Sequence, residues 1–307
     1  MTPLNLDAYT RRYNRTPNFG GSVTPVEIAI EAAKLGSEVL LKHWQQLDKT
    51  DADLKSRNDW VSRADRESEA VIMGYLRAKC PNDACLGEES GAVSALDGGA
   101  SARRVWIIDP LDGTSNYLQH FPFWCISIAL RDGDEMVAGV IYEPLRNNTF
   151  SVEKGSGTFL NGKRVHVSTQ TALEGAFLAT GFPFRAQQYV SVYCSIFEDV
   201  IRMAKGVRRA GSAALDLAYT AAGIFDGFFE LHLAPWDISA GGLMVLEAGG
   251  VVTDFSGGDR FWSRGNILGA PPEVHAALLE VIGRYTSEND LDRRADGRYF
   301  PQGLTHP

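Results

Sequence analysis

After Thr24-Pro25 the apolar residues Ile28, Ile30, Ala33, Leu40 and Leu41 recur near helical spacing, predicting an amphipathic helix through about Trp44. Thr24 can cap that helix, and Pro25 suits its first turn because the missing N–H would have no partner there anyway. A second helical pattern, Ala64, Ala70, Val71, Ile72 and Leu76, spans 59–79 behind the polar string Lys55–Asp59. Shorter apolar runs between turn residues read as strands at 84–86, 104–108, 122–130, 136–143, 149–153, 176–180, 225–231, 250–254 and 266–269. Gly155-Ser-Gly157 and Asn161-Gly162 supply the turns of a hairpin. Helical patterns return at 186–204, 212–223, 237–248 and 272–284.

Strands and helices mixed without regular alternation predict an α+β fold of layered elements. Residues 1–23 read as a flexible N-terminal arm and 24–165 as an N-terminal α+β lobe. Residues 166–285 read as a C-terminal α/β lobe, and 286–307 as a polar tail. No internal repeat interrupts this plan.

Composition narrows the function. Lys and Arg number 30 against 38 Asp and Glu, a net charge of −8, which argues against nucleic acid as the main partner. A small anionic substrate is still compatible, because bound metal ions reverse the sign of a single cleft. Cys80, Cys85, Cys125 and Cys194 form no CxxC pair and have no histidine at ligand spacing, which fits a reducing compartment. With no signal-peptide pattern, and no apolar stretch approaching the roughly 18–20 residues of a membrane span, the chain is expected in the cytoplasm without a membrane partner.

The candidate chemistry is carried by acids at element boundaries. Residues 106–117, Trp-Ile-Ile-Asp-Pro-Leu-Asp-Gly-Thr-Ser-Asn-Tyr, run from an apolar strand into Asp109 and Asp112, where that strand is expected to end. Carboxylates at a core edge need a compensating cation or proton. Followed by Gly113-Thr114, whose N–H groups can face an anion, they point to a hard divalent metal beside a phosphate. A polar turn capped by Asp is the plainer alternative. Glu88 follows a short strand, and Asp237 opens a helix, where it would equally serve the helix N-terminus.

Together, Gly87-Glu88-Glu89-Ser90, Asp109-Pro-Leu-Asp-Gly-Thr-Ser-Asn116 and Trp236-Asp-Ile-Ser-Ala-Gly241 resemble, in order and spacing, the three signatures of the inositol monophosphatase family. The resemblance extends from about residue 24 to about 284. It implies a layered αβαβα sandwich, Mg²⁺ as cofactor with two or three ions per subunit, and hydrolysis of a phosphate monoester such as inositol 1-phosphate. Glu88, Asp109 and the Leu111 carbonyl would bind one ion; Asp109, Asp112 and Asp237 a second; Glu88 and water a weaker third. An all-oxygen set supports Mg²⁺ over zinc.

Thr114, hydrogen-bonded to Asp65, would orient the attacking water together with Glu88. Read without the resemblance, Asp65 is a helix N-cap. Gly113 and Thr114 would hold phosphate oxygens. Gly211-Ser212-Ala213 would lie at the substrate rim, or serve only as a loop and cap. Asp112 and Glu230, with Asp237 nearby, would accept ring hydroxyls.

The resemblance further implies a homodimer and inhibition by lithium. Gln119 and His120 depart from the residues usual in the family, and Arg208-Arg209 resembles its bacterial branch. The competing activities share the chemistry: histidinol-phosphate phosphatase, fructose-1,6-bisphosphatase and 3′(2′),5′-bisphosphate nucleotidase. A reading of another class, an accessory protein of transcription or RNA complexes, is disfavoured by the net charge of −8.

Overall fold

The computed structural model describes residues 23–44, 52–56, 59–93, 103–184 and 186–286. Of the arm expected at 1–23 and the tail expected at 286–307 only residues 23 and 286 fall within that description, and the side chains of 52–61, with the loop around Lys55–Asp59, lie outside it.

Helix α1 (Pro25–His43) begins as expected: Thr24 accepts the Glu27 N–H, and the Glu27 carboxylate accepts the Thr24 N–H at 2.8 Å. A hairpin, β1 (Ala52–Ser56) and β2 (Asp59–Ser62), then leads into α2 (Arg63–Lys79). The helix expected from 59 therefore starts four residues later. Its reason is local, for Ser62 is the N-cap and Asp65 occupies the third helical position, so the residues before Ser62 are outside the helix.

Strands β3 (Ala84–Gly87), β4 (Gly91–Val93), β5 (Arg104–Asp112), β6 (Cys125–Asp132), β7 (Glu135–Glu143), β8 (Asn148–Glu153), β9 (Gly157–Leu160) and β10 (Lys163–Val165) form one eight-stranded sheet in the order β10-β9-β8-β7-β6-β5-β3-β4. The short helix α3 (Thr114–Leu118) lies between β5 and β6. Only the β3–β5 pairing of this sheet is parallel among the described strands.

The second sheet has the order β12-β11-β13-β15-β14, from β11 (Phe177–Thr180), β12 (Gly206–Arg208), β13 (Gly227–Glu230), β14 (Val251–Thr253) and β15 (Ile267–Ala270). Helices α4 (Val190–Met203), α5 (Ala213–Ala221), α6 (Pro235–Glu247), α7 (Phe261–Arg264) and α8 (Pro272–Gly283) intervene.

Both sheets are covered on both faces, and alternate residues along each strand show how. Trp106, Ile108, Ile126 and Ile128 pack with Ala33, Leu40, Ile72 and Leu76 of α1 and α2. Ile107, Cys125, Ala129 and Ile141 face Leu215, Leu217, Ile238 and Met244 of α5 and α6. The same two helices bury Ala179, Phe228 and Ile267 of the small sheet. Its outer face, Leu178, Phe229 and Leu268, packs with Ile196, Val200, Val274 and Leu278 of α4 and α8. The layers thus run helix, sheet, helix, sheet, helix, as the resemblance implied. No helix among the described residues is long and apolar enough to cross a membrane.

Candidate active site

The first acidic pair is made by a β-bulge. In the β5–β6 ladder Asp109 lies opposite Ser127 and Asp112 opposite Cys125, so three steps on β5 match two on β6. Side chains three apart on a regular strand point to opposite faces. The extra residue brings Asp109 and Asp112 to the same face, toward α5 and α6. Pro110, with no N–H to give the ladder, suits the bulge, and its carbonyl accepts the Ser68 hydroxyl at 3.3 Å. Leu111 turns its side chain into the opposite core and gives its N–H to Asp109 Oδ1 at 2.9 Å. The strand therefore continues through Asp112, whereas the sequence pattern predicts its end before Asp109.

Gly113 then leaves the sheet at φ 95°, where a Cβ would sit 3.0 Å from the Phe123 carbonyl oxygen and 3.2 Å from Trp124 Cβ. Gly113→Ala is predicted to cost about 1–2 kcal/mol of stability and to reduce activity by displacing Thr114. Urea unfolding beside a rate assay checks this, and an unchanged midpoint would mean that the backbone relaxes freely.

Asp112 ties the bulge to the central helices. Its Oδ2 accepts the Ser212 hydroxyl at 2.6 Å and the Ala214 N–H at 2.7 Å, while Ser212 Oγ caps α5 by accepting the Leu215 N–H at 3.3 Å. Asp237 is the third residue of α6, two positions later than expected, and its Oδ2 accepts the Ala234 N–H at 2.7 Å. It caps a helix and also faces its fellow acids. Asp109, Asp112 and Asp237 each offer an oxygen within 4.8 Å of the others.

Asp65, which the resemblance pairs with Thr114 and which reads as an N-cap without it, is the third residue of α2, not its N-cap, and is buried. Its Oδ2 accepts both the N–H and the hydroxyl of Ser62, and its Oδ1 lies 3.0 Å from Thr114 Oγ1. Thr114 Oγ1 is also 3.1 Å from the Leu111 carbonyl oxygen. Burial above all, with the nearby Glu88 charge, raises the Asp65 carboxyl to about 6 despite the Ser62 and Thr114 hydrogen bonds.

Glu88 follows β3, its N–H donating to the Ile108 carbonyl at 3.2 Å. The next turn is fixed by a residue that the sequence reading missed. Buried Glu69 accepts the Glu89 N–H at 2.9 Å and the Ser90 N–H at 2.8 Å. A Cβ on Gly87 would collide with that carboxylate at 2.4 Å, so glycine is required for the close approach. The i,i+4 spacing of Asp65 and Glu69 on one helix was the available signal.

Glu88, Asp109, Leu111, Asp112, Gly113, Thr114, Gly211, Ser212, Ala213, Glu230 and Asp237 all line one cleft of about 400 Å³, with Asp65 behind Thr114. Asp216, which the sequence reading also missed, is buried in its wall with Oδ1 unpartnered. Burial, then the charges of Glu230 and Asp112, push its carboxyl well above the usual range. Its signal was an acid inside the apolar run Ala-Ala-Leu-Asp-Leu-Ala. Arg209, which also lines the cleft, stacks over the Phe184 ring at 5.3 Å.

The donor set fits a hard divalent cation. Asp109 is 1% exposed, and burial followed by the charges of Glu88, Asp112 and Asp237 holds its carboxyl well above the ordinary range. A cation among these oxygens would relieve that repulsion, and carboxylate and carbonyl donors without His or Cys suit Mg²⁺.

The model of the inositol monophosphatase family matches residues 23–287. Nus factor SuhB of Escherichia coli (strain K12) is 42% identical over 254 residues, covering 83% of this chain and 94% of that protein. The crystal structure of the extragenic suppressor protein suhB from Bartonella henselae superposes with a TM-score of 0.79 at 38% identity, covering 84% of this chain and 98% of that one. The inositol monophosphatase from Anabaena (Nostoc) sp. PCC 7120 gives a TM-score of 0.74 at 33% identity, covering 85% and 96%.

Proposed function

The chain belongs to the inositol monophosphatase family, and from that premise we propose that it is a Mg²⁺-dependent phosphomonoesterase whose substrate is inositol 1-phosphate. The observation that carries this reading is the convergence of Asp109, Asp112 and Asp237 in a cleft that also contains Glu88 and Thr114. Glu88, Asp109 and the Leu111 carbonyl would hold one Mg²⁺, Asp109, Asp112 and Asp237 a second, and Glu88 a weaker third. Bound there, the ions would neutralise the phosphate dianion and lower the pKa of the attacking water.

The chain's own groups do the rest. When the Thr114 hydroxyl donates to Asp65 Oδ1, its lone pairs are left to accept from a water in the cleft. Glu88, beside it, takes the proton of that water. The N–H groups of Gly113 and Thr114 hold phosphate oxygens. Ser212 and Ala214 fix the carboxylate of Asp112, so that it meets the ion and the substrate in one orientation. Glu230, at the end of β13, accepts hydroxyls of the alcohol. Thr114→Ala is predicted to lower kcat by about 10²–10⁴-fold with KM little changed, while Thr114→Ser retains most of the rate. Equal rates for the alanine variant and the parent would remove Thr114 from the mechanism.

A panel of inositol 1-phosphate, histidinol phosphate, fructose 1,6-bisphosphate and a 3′,5′-bisphosphate nucleotide, assayed with Mg²⁺ and after chelation, tests the substrate. A preference for any other member by orders of magnitude overturns inositol 1-phosphate, and activity that survives chelation overturns the metal. Lithium inhibition, a homodimer and a cytoplasmic location belong to the same reading; a flat Li⁺ titration or a monomer by sedimentation would count against its parts.

A second reading rests on the name Nus factor carried by relatives up to 43% identical. Asp109→Asn separates the two. A cellular phenotype preserved by that inactive variant supports the Nus-factor role, whereas its loss supports the hydrolase.

A further inference from the structure

We infer that His232 is a specificity-determining residue for the alcohol half of the substrate, holding an imidazole against the hydroxylated ring at a point where the backbone itself asks for glycine. The inference rests on the phosphomonoesterase reading above and extends it to a residue that reading does not use.

Four residues, 231–234, join the end of β13 to the start of α6. Leu231 packs in the core under α4 and α8, whereas Leu233 packs in the core around α5 and α6. Residues two apart on an extended strand face the same side. The chain must therefore reverse its facing at 232, and it does so with φ 67°. Both neighbouring amides are pinned: the His232 N–H donates to Oδ1 of buried Asn266 at 3.2 Å, and the Leu233 N–H to the Gly265 carbonyl at 2.7 Å.

Left-handed backbone is unfavourable for a residue with a Cβ, and glycine adopts it without that penalty. Among the described residues, twelve glycines have positive φ, and the four other residues that do are His120, Asn147, Asn161 and His232. Of these four, His232 alone lines the cleft. A side chain is thus kept at a strained position that opens on the site. It stands two residues after Glu230 and five before Asp237, between the acid assigned to the hydroxyls and the acid assigned to the ion. An imidazole can exchange hydrogen bonds with the hydroxyls of a polyol, and meets no such groups on a flat aryl ring.

The experiment compares wild type, His232→Gly and His232→Ala by thermal melting and by the ratio of kcat/KM for inositol 1-phosphate to that for p-nitrophenyl phosphate. Both variants are expected to lower the ratio by about tenfold, chiefly through KM for the polyol ester. His232→Gly should melt at or above the wild type, and His232→Ala below His232→Gly. An unchanged ratio in both variants overturns the inference. So does a His232→Gly protein that melts several degrees lower and slows on both substrates equally, because the imidazole is then only scaffold. If the wild type prefers another polyol phosphate, the substrate assignment falls while the same ratio, taken with that ester, still judges His232. A wild type without phosphomonoesterase activity overturns both.

Discussion

Asp109→Asn is expected to lower hydrolysis by about 10³-fold or more at ordinary Mg²⁺, and in the same stroke to stabilise the metal-free protein. The two effects have one cause. Asp109 is buried at the bulge, where burial and the charges of Glu88, Asp112 and Asp237 all oppose its ionised form. Asparagine keeps the shape and an Oδ1 that can accept the Leu111 N–H, but brings no charge to a cation. Activity assays with a Mg²⁺ titration, beside melts in a chelator, read both arms. A wild-type rate would remove the metal assignment. A lower melting temperature in chelator would mean that the protein compensates the Asp109 charge without an ion.

Part of this site was legible in the sequence and part was not. The strings around Glu88, Asp109 and Asp237 were legible because together, in order and spacing, they resemble the three signatures of the family; singly, an acid at a turn or a helix start is ordinary. How Asp109 and Asp112 come to share a face was not legible. Their odd spacing puts them on opposite faces of any regular strand, and only the pairing with β6 creates the bulge that reunites them. Glu69 and Asp216 escaped notice for a related reason. Each lies on a helix whose pattern is satisfied by its apolar residues, and what surrounds each acid is supplied by distant segments: the Glu89 and Ser90 amides that Glu69 accepts, and for Asp216 the repelling charge of Glu230 across the cleft.

Single residues holding two jobs blurred the remaining readings. Asp65 and Asp237 both sit at the third position of a helix and accept the N–H of the residue three before them, as capping acids do. A cap and a role in the site therefore do not exclude one another, since the cap is what orients the second oxygen of Asp65 to Thr114. The layered fold was easier to read, because strands and helices that mix without regular alternation must cover one another in layers, and the resemblance implied their order. Boundaries failed where a polar residue began an element, as Ser62 does for α2.

Metal-free protein is expected to lose stability as pH rises from about 4 to 8, and Mg²⁺ is expected to stabilise it more at pH 8 than at pH 5. Asp65 titrates at about 6 in the fold against 3.8 as an ordinary carboxyl. Between those values the folded protein binds more protons than the unfolded chain, so stability present below 3.8 is lost as pH passes 6. At about 1.36 kcal/mol per unit, that buried group alone accounts for a loss on the order of 3 kcal/mol. Asp109 and Asp216 are raised well above 3.8, and carry the same sign to higher pH. Glu67, whose carboxyl is lowered from 4.5 beside His43 and Arg63, acts oppositely, but its contribution is already present above 4.5; His275, which burial holds below 6.5, also acts oppositely up to 6.5, one group set against Asp65, Asp109 and Asp216 together. Cations compete with protons for the Asp109, Asp112 and Asp237 oxygens, so the gap between melting temperatures in Mg²⁺ and in chelator should widen with pH and shrink in Asp109→Asn. A gap of constant size from pH 5 to 8 would show that no ion displaces protons from those oxygens, and would remove the shared-ion assignment.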